Sequence, residues 1–142
     1  MWQNNRSGET PMTPDLMALA GVLLLAMVQI LLFDIARTGQ YGLKWNMSPR
    51  DQADMPPLSD MAKRLDRAQA NLFETLPIFI GAVLVAHVSG RADSLTALGA
   101  HLYLFGRIIY VPLYAYGLSP WRSLVWVVSL VGLLMIIWRL FF

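Results

Sequence analysis

The sequence predicts an all-α membrane protein, an antiparallel bundle of four transmembrane helices. Of its 142 residues, 56% are hydrophobic and 14% are charged, whereas a soluble domain carries about 25% charged residues. The apolar residues fall in four long runs separated by polar segments, and roughly 20 such residues cross a bilayer as a helix. One long and two short connections between these spans predict an up-and-down bundle that forms a single domain over residues 1–142.

The first predicted helix covers residues 14–37 and follows a polar tail over residues 1–13. Thr13, Pro14 and Asp15 are typical of a helix start, because they offer a capping hydroxyl, a proline in the first turn and an acid near the positive helix end. A cleaved signal peptide is the alternative. The apolar run is too long for a signal peptide, however, and no small-residue cleavage site follows it.

The connection over residues 38–59 is polar, contains several glycines and prolines, and shows no strand alternation. We expect a loop, whose unusual length suggests a functional or docking role. Ser59 is a suitable cap for the second helix, predicted over residues 60–88. The third and fourth helices are predicted over residues 94–116 and 121–141, after short turns that contain glycine.

Composition excludes several classes of function. The chain has no cysteine, so it offers no disulfide framework, no thiolate metal site and no cysteine nucleophile. His87 and His101 have no acidic residue near them at ligand spacing, and no metal site is expected. The formal charge is only +2 and the basic residues follow the membrane loops, which does not suit a nucleic-acid partner.

The basic residues also predict the orientation of the bundle. Most lie around the first and third connections, whereas Arg6, Arg91 and Arg139 lie at the opposite ends of the spans. Basic residues concentrate on the cytoplasmic side of membrane proteins. We therefore expect both termini outside the cytoplasm and the first and third connections inside it.

The second helix begins with three polar residues on one face. Arg67, Asn71 and Glu74 are spaced four and then three residues apart, which stacks them over two helical turns. In a membrane helix such groups point to protein, to a water-filled cavity or to a polar ligand. A structural network that joins neighbouring helices is the alternative to a ligand site.

With this topology, polar groups from all four helices meet at one depth in the cytoplasmic leaflet. The other three helices add Arg37 at the end of the first, Arg107, Tyr110 and Tyr114 near the end of the third, and Arg122 and Ser123 at the start of the fourth. Guanidinium groups pair with carboxylates, while carboxylate and amide oxygens accept hydrogen bonds from an ammonium. The set therefore suits a small zwitterionic or anionic ligand that has carboxylates.

Simpler roles are open to several of these residues. Arg107 and Glu74 could form an ion pair between helices instead of contacting a ligand. Tyr110 and Tyr114 could belong to an interfacial aromatic belt, and Arg122 could anchor its helix in the headgroup region. A transporter or channel is less well supported, because the charges gather in one leaflet and leave the other half of the bundle apolar.

Four motifs occur at matching positions along the four helices. They are Ile35-Ala36-Arg37, Arg67-Ala68-Gln69-x-Asn71-x-x-Glu74-x-x-Pro77, Gly106-Arg107-x-x-Tyr110-x-x-x-Tyr114 and Pro120-x-Arg122-Ser123. In these motifs the chain resembles the MAPEG family, the membrane-associated proteins of eicosanoid and glutathione metabolism. The resemblance covers all four spans in order and points to a bacterial-type member.

The resemblance implies a homotrimer in a bacterial inner membrane, with periplasmic termini and glutathione bound in the cytoplasmic leaflet between neighbouring subunits. It implies that Arg122 is catalytic and faces the sulfur of glutathione. We expect Arg107, from its possible pairing across helices, to be a structural polar residue. The side chains that would hold the tripeptide are Arg37, Arg67, Asn71, Glu74, Tyr110, Tyr114 and Ser123. Such a site would belong to a microsomal-type glutathione S-transferase or peroxidase that acts on lipophilic electrophiles arriving from the lipid bilayer.

Two positions depart from the family pattern. Some members have a further arginine where this chain has Ala70, and the prostaglandin synthase has a tyrosine where this chain has Trp126, so no phenol can donate from that point. The family also contains a non-enzymatic member that presents lipid substrates to a partner. A second hypothesis is therefore a non-catalytic membrane scaffold, or an accessory subunit with a membrane-protein partner.

Overall fold

The computed structural model describes residues 11–142, so most of the predicted polar tail lies outside the described residues. The described chain is all helical and contains no strand. The helices are α1 (Pro14–Tyr41), α2 (Leu43–Asn46), α3 (Asp60–Val88), α4 (Ser94–Ala115) and α5 (Ser119–Phe141). All but α2 are long and apolar enough to cross a membrane, which confirms the all-α class and the four predicted spans.

Three helix boundaries differ from those predicted, and the smallest difference is in α4, which ends at Ala115 and not at residue 116. The first helix continues to Tyr41, because Gly39 stays helical and the break comes at Gly42. The φ of 87° at Gly42 is one that a residue without Cβ adopts easily. The chain then forms the short helix α2 where a loop was expected. The last helix begins early, at Ser119, with Pro120 in the first turn, where the missing N–H removes no helical hydrogen bond.

The connection between α1 and α3 is docked against the end of α1. The side chain of Gln40 donates to the carbonyl oxygen of Pro57 at 2.8 Å and accepts from the backbone N–H of Ser59 at 2.7 Å. The hydroxyl of Ser59 in turn accepts from the backbone N–H of Ala62 at 3.2 Å, which confirms the predicted cap. We call the end of the bundle at which residues 42–59 lie the loop end.

A shared core fills the space between the four spans. Val22, Phe79, Tyr103 and Ile136 are all fully buried, and the rings of Phe79 and Tyr103 stack with their centres 4.1 Å apart. The opposite faces of the helices expose many large apolar side chains. Such helices are stable when lipid or other apolar helices cover those faces.

The contact between α4 and α5 is the most extensive between any two helices of the described chain, and several glycines lie in it. A Cβ atom on Gly99 would lie 2.5 Å from the carbonyl oxygen of Gly132, and one on Gly106 would lie 2.9 Å from the Cβ of Ser129. Small residues of this kind let the backbones of membrane helices approach each other. The close packing sets the position of the end of α4 relative to the start of α5.

Asp93 links α4 to α5 at the end opposite the loop end. Its carboxylate accepts from Arg139 Nε at 2.6 Å and caps α4 by accepting from the backbone N–H of Leu95 at 2.9 Å. The hydrogen bond from Arg139 is the main cause that holds the pKa of Asp93 below its ordinary value of 3.8, and the cap at Thr96 acts in the same direction.

We expect the link between Asp93 and Arg139 to add stability that is lost in acid. A carboxyl group with a lowered pKa in the folded state stabilises the fold fully above the unfolded value of 3.8, and this contribution disappears as the pH falls through the folded pKa. The thermal midpoint of Arg139→Met in detergent should therefore lie below that of the wild type at about pH 6, and the difference should shrink below the unfolded pKa. A constant difference at every pH would show that Arg139 acts through packing instead.

Candidate functional site

A pocket of about 440 Å³ lies at the loop end between α3, α4 and α5. Small-molecule sites commonly have volumes of about 300–1,000 Å³. Its lining residues are Asn71 from α3, Tyr110 and Tyr114 from α4, and Arg122, Ser123, Trp126 and Val127 from α5. The structure thus brings five predicted site residues together around one cavity: Asn71, Tyr110, Tyr114, Arg122 and Ser123.

The ring of Tyr114 lies beside two cations at this pocket. The guanidinium carbon of Arg122 lies 4.4 Å from the centre of the Tyr114 ring, and that of Arg67 lies 5.8 Å from the same centre. Cations within about 6 Å of an aromatic ring are attracted to its face. The ring of Tyr110 packs against Tyr114 with the ring centres 5.4 Å apart. Residues from three helices therefore hold each other in place at the pocket.

Four predicted site residues are not among those that line the pocket, namely Arg37, Arg67, Glu74 and Arg107. Arg67 is exposed beside Tyr114, and Glu74 is exposed on the surface of α3. Arg37, at the end of α1, donates from Nη2 to Asp34 at 2.6 Å. The structure therefore does not bring Arg37 to the pocket of its own chain.

Arg107 lies behind the pocket and is only 1% exposed. Its Nη1 donates to Asn71 Oδ1 at 2.6 Å, and its Nη2 donates to Thr75 Oγ1 at 2.8 Å. The Tyr103 hydroxyl lies 2.7 Å from the same Thr75 oxygen. The guanidinium carbon of Arg107 is also 5.2 Å from the centre of the Tyr103 ring and 5.7 Å from that of the Tyr110 ring. Arg107 is thus enclosed by neutral polar and aromatic groups.

The possible ion pair between Arg107 and Glu74 does not occur among residues 11–142, because Arg107 has the neutral partners Asn71 and Thr75. Sequence reasoning missed Thr75 and Tyr103 as members of the site. Thr75 follows Asn71 by four residues and Tyr103 precedes Arg107 by four. Residues four apart share a helix face, so this spacing makes both residues candidates for the site, although it does not show that Thr75 faces Arg107 in place of Glu74.

The pocket and its immediate surroundings have an excess of positive charge. Within residues 11–142, Arg67, Arg107 and Arg122 have no carboxylate at ion-pair distance. Charged groups at membrane depth are costly unless an opposite charge or a polar group compensates them. In that same part of the chain, no cluster of three or more His, Asp or Glu side chains could hold a metal ion. The uncompensated arginines suit an anionic ligand.

Comparison with known proteins agrees with this fold. No curated protein matches the chain. The family model described as "MAPEG family" matches residues 16–142, which include nearly all of the chain and its four spans. The match and the four apolar helices identify an integral membrane protein that contacts the lipid bilayer. The chain belongs to the MAPEG family.

Proposed function

We propose that the protein binds glutathione in this pocket and acts as a glutathione transferase or peroxidase on lipophilic electrophiles. The observation that carries this proposal is the position of Arg122, which lines the pocket near the start of α5 and has no ion-pair partner within the described residues. Glutathione would supply a thiol, whose thiolate form is the nucleophile. The guanidinium of Arg122 and the positive end of α5 both favour a negative charge at that place.

The charges around the pocket fit the rest of the tripeptide, which has two carboxylates and an ammonium group. Arg67 lies beside Tyr114 at the edge of the pocket, and its planar guanidinium can bind a carboxylate through two hydrogen bonds. Glu74 is the acidic residue of the polar face of α3 that also contains Arg67 and Asn71. We assign the carboxylates to the guanidinium groups and the ammonium to Glu74.

We further propose a homotrimer in which a neighbouring subunit completes each site. Glu74 is exposed on the surface of a single chain although it lies well inside a span, and a carboxylate there requires a polar partner. Arg37 lies outside the pocket of its own chain, so it could serve the pocket of a neighbour. The basic residues around the loop end favour its placement on the cytoplasmic side of a bacterial inner membrane.

A non-catalytic scaffold or accessory subunit is the second candidate. Trp126 lines the pocket in the place where a phenol could have donated a proton, and the indole N–H can donate a hydrogen bond but does not give up its proton. A chain of this kind could keep the ligand site and present a lipid to a membrane-protein partner without performing chemistry. Binding of glutathione alone would not separate the two candidates, whereas turnover of an electrophile would.

Calorimetric titration of glutathione into the purified protein in detergent tests the proposed ligand. We expect saturable binding near one site per chain, and Glu74→Gln should weaken it by about 1–3 kcal/mol because the ammonium loses a charged partner. Asp66→Asn is the matched control, since it removes an exposed carboxylate of the same helix that is outside the lining of the pocket. Absence of wild-type binding at millimolar glutathione would overturn the proposed function.

A further inference from the structure

Asn71 lies between the pocket and the buried Arg107. It lines the pocket, and its side chain also meets Arg107 Nη1 at 2.6 Å. A guanidinium group only donates hydrogen bonds, so the amide atom that faces it must be the acceptor, which is the oxygen. The other end of the same amide is an NH₂ group, which only donates. The contact with Arg107 therefore determines which end of the Asn71 amide is left for a ligand.

Arg107 cannot easily turn away from Asn71. Its second terminal nitrogen donates to Thr75 at 2.8 Å, and the Thr75 hydroxyl is 2.7 Å from that of Tyr103. The ring of Tyr103 is itself fully buried and stacks on Phe79. Rotation of the guanidinium would leave several buried polar groups without partners, which is costly in a low-dielectric interior.

We propose that Thr75 and Tyr103 are positioning residues, which act through Arg107 to hold the Asn71 amide with its NH₂ group towards an oxygen acceptor of the bound peptide. The inference rests on the proposed binding of glutathione and deepens it. The α3 wall of the pocket recognises a carboxylate or carbonyl oxygen, not the ammonium that the sequence alone also allowed for Asn71. The ammonium is left to Glu74, one turn further along α3.

Asn71→Asp tests this orientation of the Asn71 amide, because the two possible orientations predict opposite changes in glutathione affinity. The substitution keeps the size of the side chain and leaves an oxygen for Arg107, so the fold should be retained. The NH₂ group becomes a second oxygen, which repels an acceptor of the ligand, and we expect the calorimetric Kd to rise by about tenfold or more. Were Asn71 to accept from the ammonium instead, the added carboxylate would lower the Kd.

Asn46→Asp is the matched control. Asn46 also accepts a hydrogen bond from an arginine, Arg50, but it is not among the residues that line the pocket. The control adds the same negative charge, so its Kd for glutathione should stay within about twofold of the wild-type value, since surface substitutions away from a site have small effects.

A second pair of variants tests the positioning role of Thr75. Thr75→Val removes the oxygen that Arg107 and Tyr103 share and should raise the Kd by about tenfold, whereas Thr75→Ser keeps the hydroxyl and should bind nearly as tightly as the wild type. The ultraviolet absorbance of the bound thiolate should stay unchanged in both variants once glutathione saturates them, because Arg122 is intact.

Each outcome of these titrations is decisive. If the wild type binds glutathione and Asn71→Asp binds it as tightly or more tightly, the inference is overturned but the proposed function stands. Equal affinity of Thr75→Val and Thr75→Ser would remove the positioning role of Thr75. A wild-type protein that does not bind glutathione would overturn the proposed function, and the inference with it.

Discussion

In Arg122→Ala, we expect glutathione to bind with nearly wild-type affinity but to lose most of its thiolate form at neutral pH. An ordinary thiol has a pKa of about 8.5 and is mostly protonated at pH 7. The Arg122 guanidinium, next to the positive end of α5, would lower the pKa of the bound thiol, and its removal should return that pKa towards the ordinary value. Thiolate absorbance in the ultraviolet, followed against pH, measures this change.

In Arg122→Ala, the rate of conjugation should fall together with the thiolate fraction of the bound glutathione. Removal of one group that stabilises a developing anion typically lowers kcat by about 10²–10³-fold, and Arg122→Ala should lie in this range with a small change in KM. Arg122→Lys should retain part of the activity, because a positive charge stays near the sulfur while the planar fork is lost. Arg91→Ala removes the same charge at the opposite end of the bundle and should behave like the wild type.

Two results would contradict the proposed catalytic role of Arg122. Unchanged thiolate absorbance in Arg122→Ala would mean that another group stabilises the anion. Equal loss of binding and of thiolate would make Arg122 a binding residue only. The guanidinium carbon of Arg122 lies 4.4 Å from the centre of the Tyr114 ring. Tyr114→Leu would release the Arg122 side chain, so we expect it to weaken the effect of Arg122 on the pKa of the bound thiol.

Most of the pocket could be predicted from the sequence, because helix periodicity places residues on faces. Tyr110 and Tyr114 are four residues apart and do share the pocket, and Arg122 and Ser123 meet them from the next helix. Antiparallel order with a short connection brings the end of α4 to the start of α5. This part of the site therefore follows from spacing and topology alone.

The neighbours of Arg107 could not be predicted in the same way. Seen down α3, Glu74 and Thr75 lie about 60° and about 40° away from Asn71, on opposite sides of it. Which of the two faces α4 depends on the rotation of α3 about its axis, and that rotation is set by packing of residues such as Phe79 against Tyr103. The structure turns Thr75 inwards and leaves Glu74 exposed.

The end of α1 could not be predicted from the local sequence either. Gly39 and Gly42 are both plausible helix ends in the sequence, and only Gly42 adopts a positive φ. Gln40, which lies between them, stays helical and binds Pro57 and Ser59 of the long connection. The docking of a distant segment thus selects the boundary, and local sequence does not contain that information.

Gly132→Ala should destabilise the protein by about 1–3 kcal/mol, the usual range for overpacking a well-packed interior. The added Cβ atom would collide with the carbonyl oxygen of Gly99 and would lie 2.9 Å from the Cβ of Leu102. Neither group can rotate away, because a backbone carbonyl moves only with its helix. Gly81→Ala is the matched control, since nothing lies within 4 Å of its Cβ position and alanine is the better helix former by about 1 kcal/mol.

Thermal unfolding in detergent compares the stability of these two glycine variants, and the thiolate fraction of bound glutathione shows what the packing does for the site. Because α4 carries Tyr114 and α5 carries Arg122, a shift of α5 away from α4 should also widen the contact between these side chains. We therefore expect Gly132→Ala to lower both the unfolding midpoint and the thiolate fraction of bound glutathione. Gly81→Ala should lower neither of them. Equal behaviour of the two variants would mean that α5 can move without cost, and that the glycine contact is not what positions Arg122 over Tyr114.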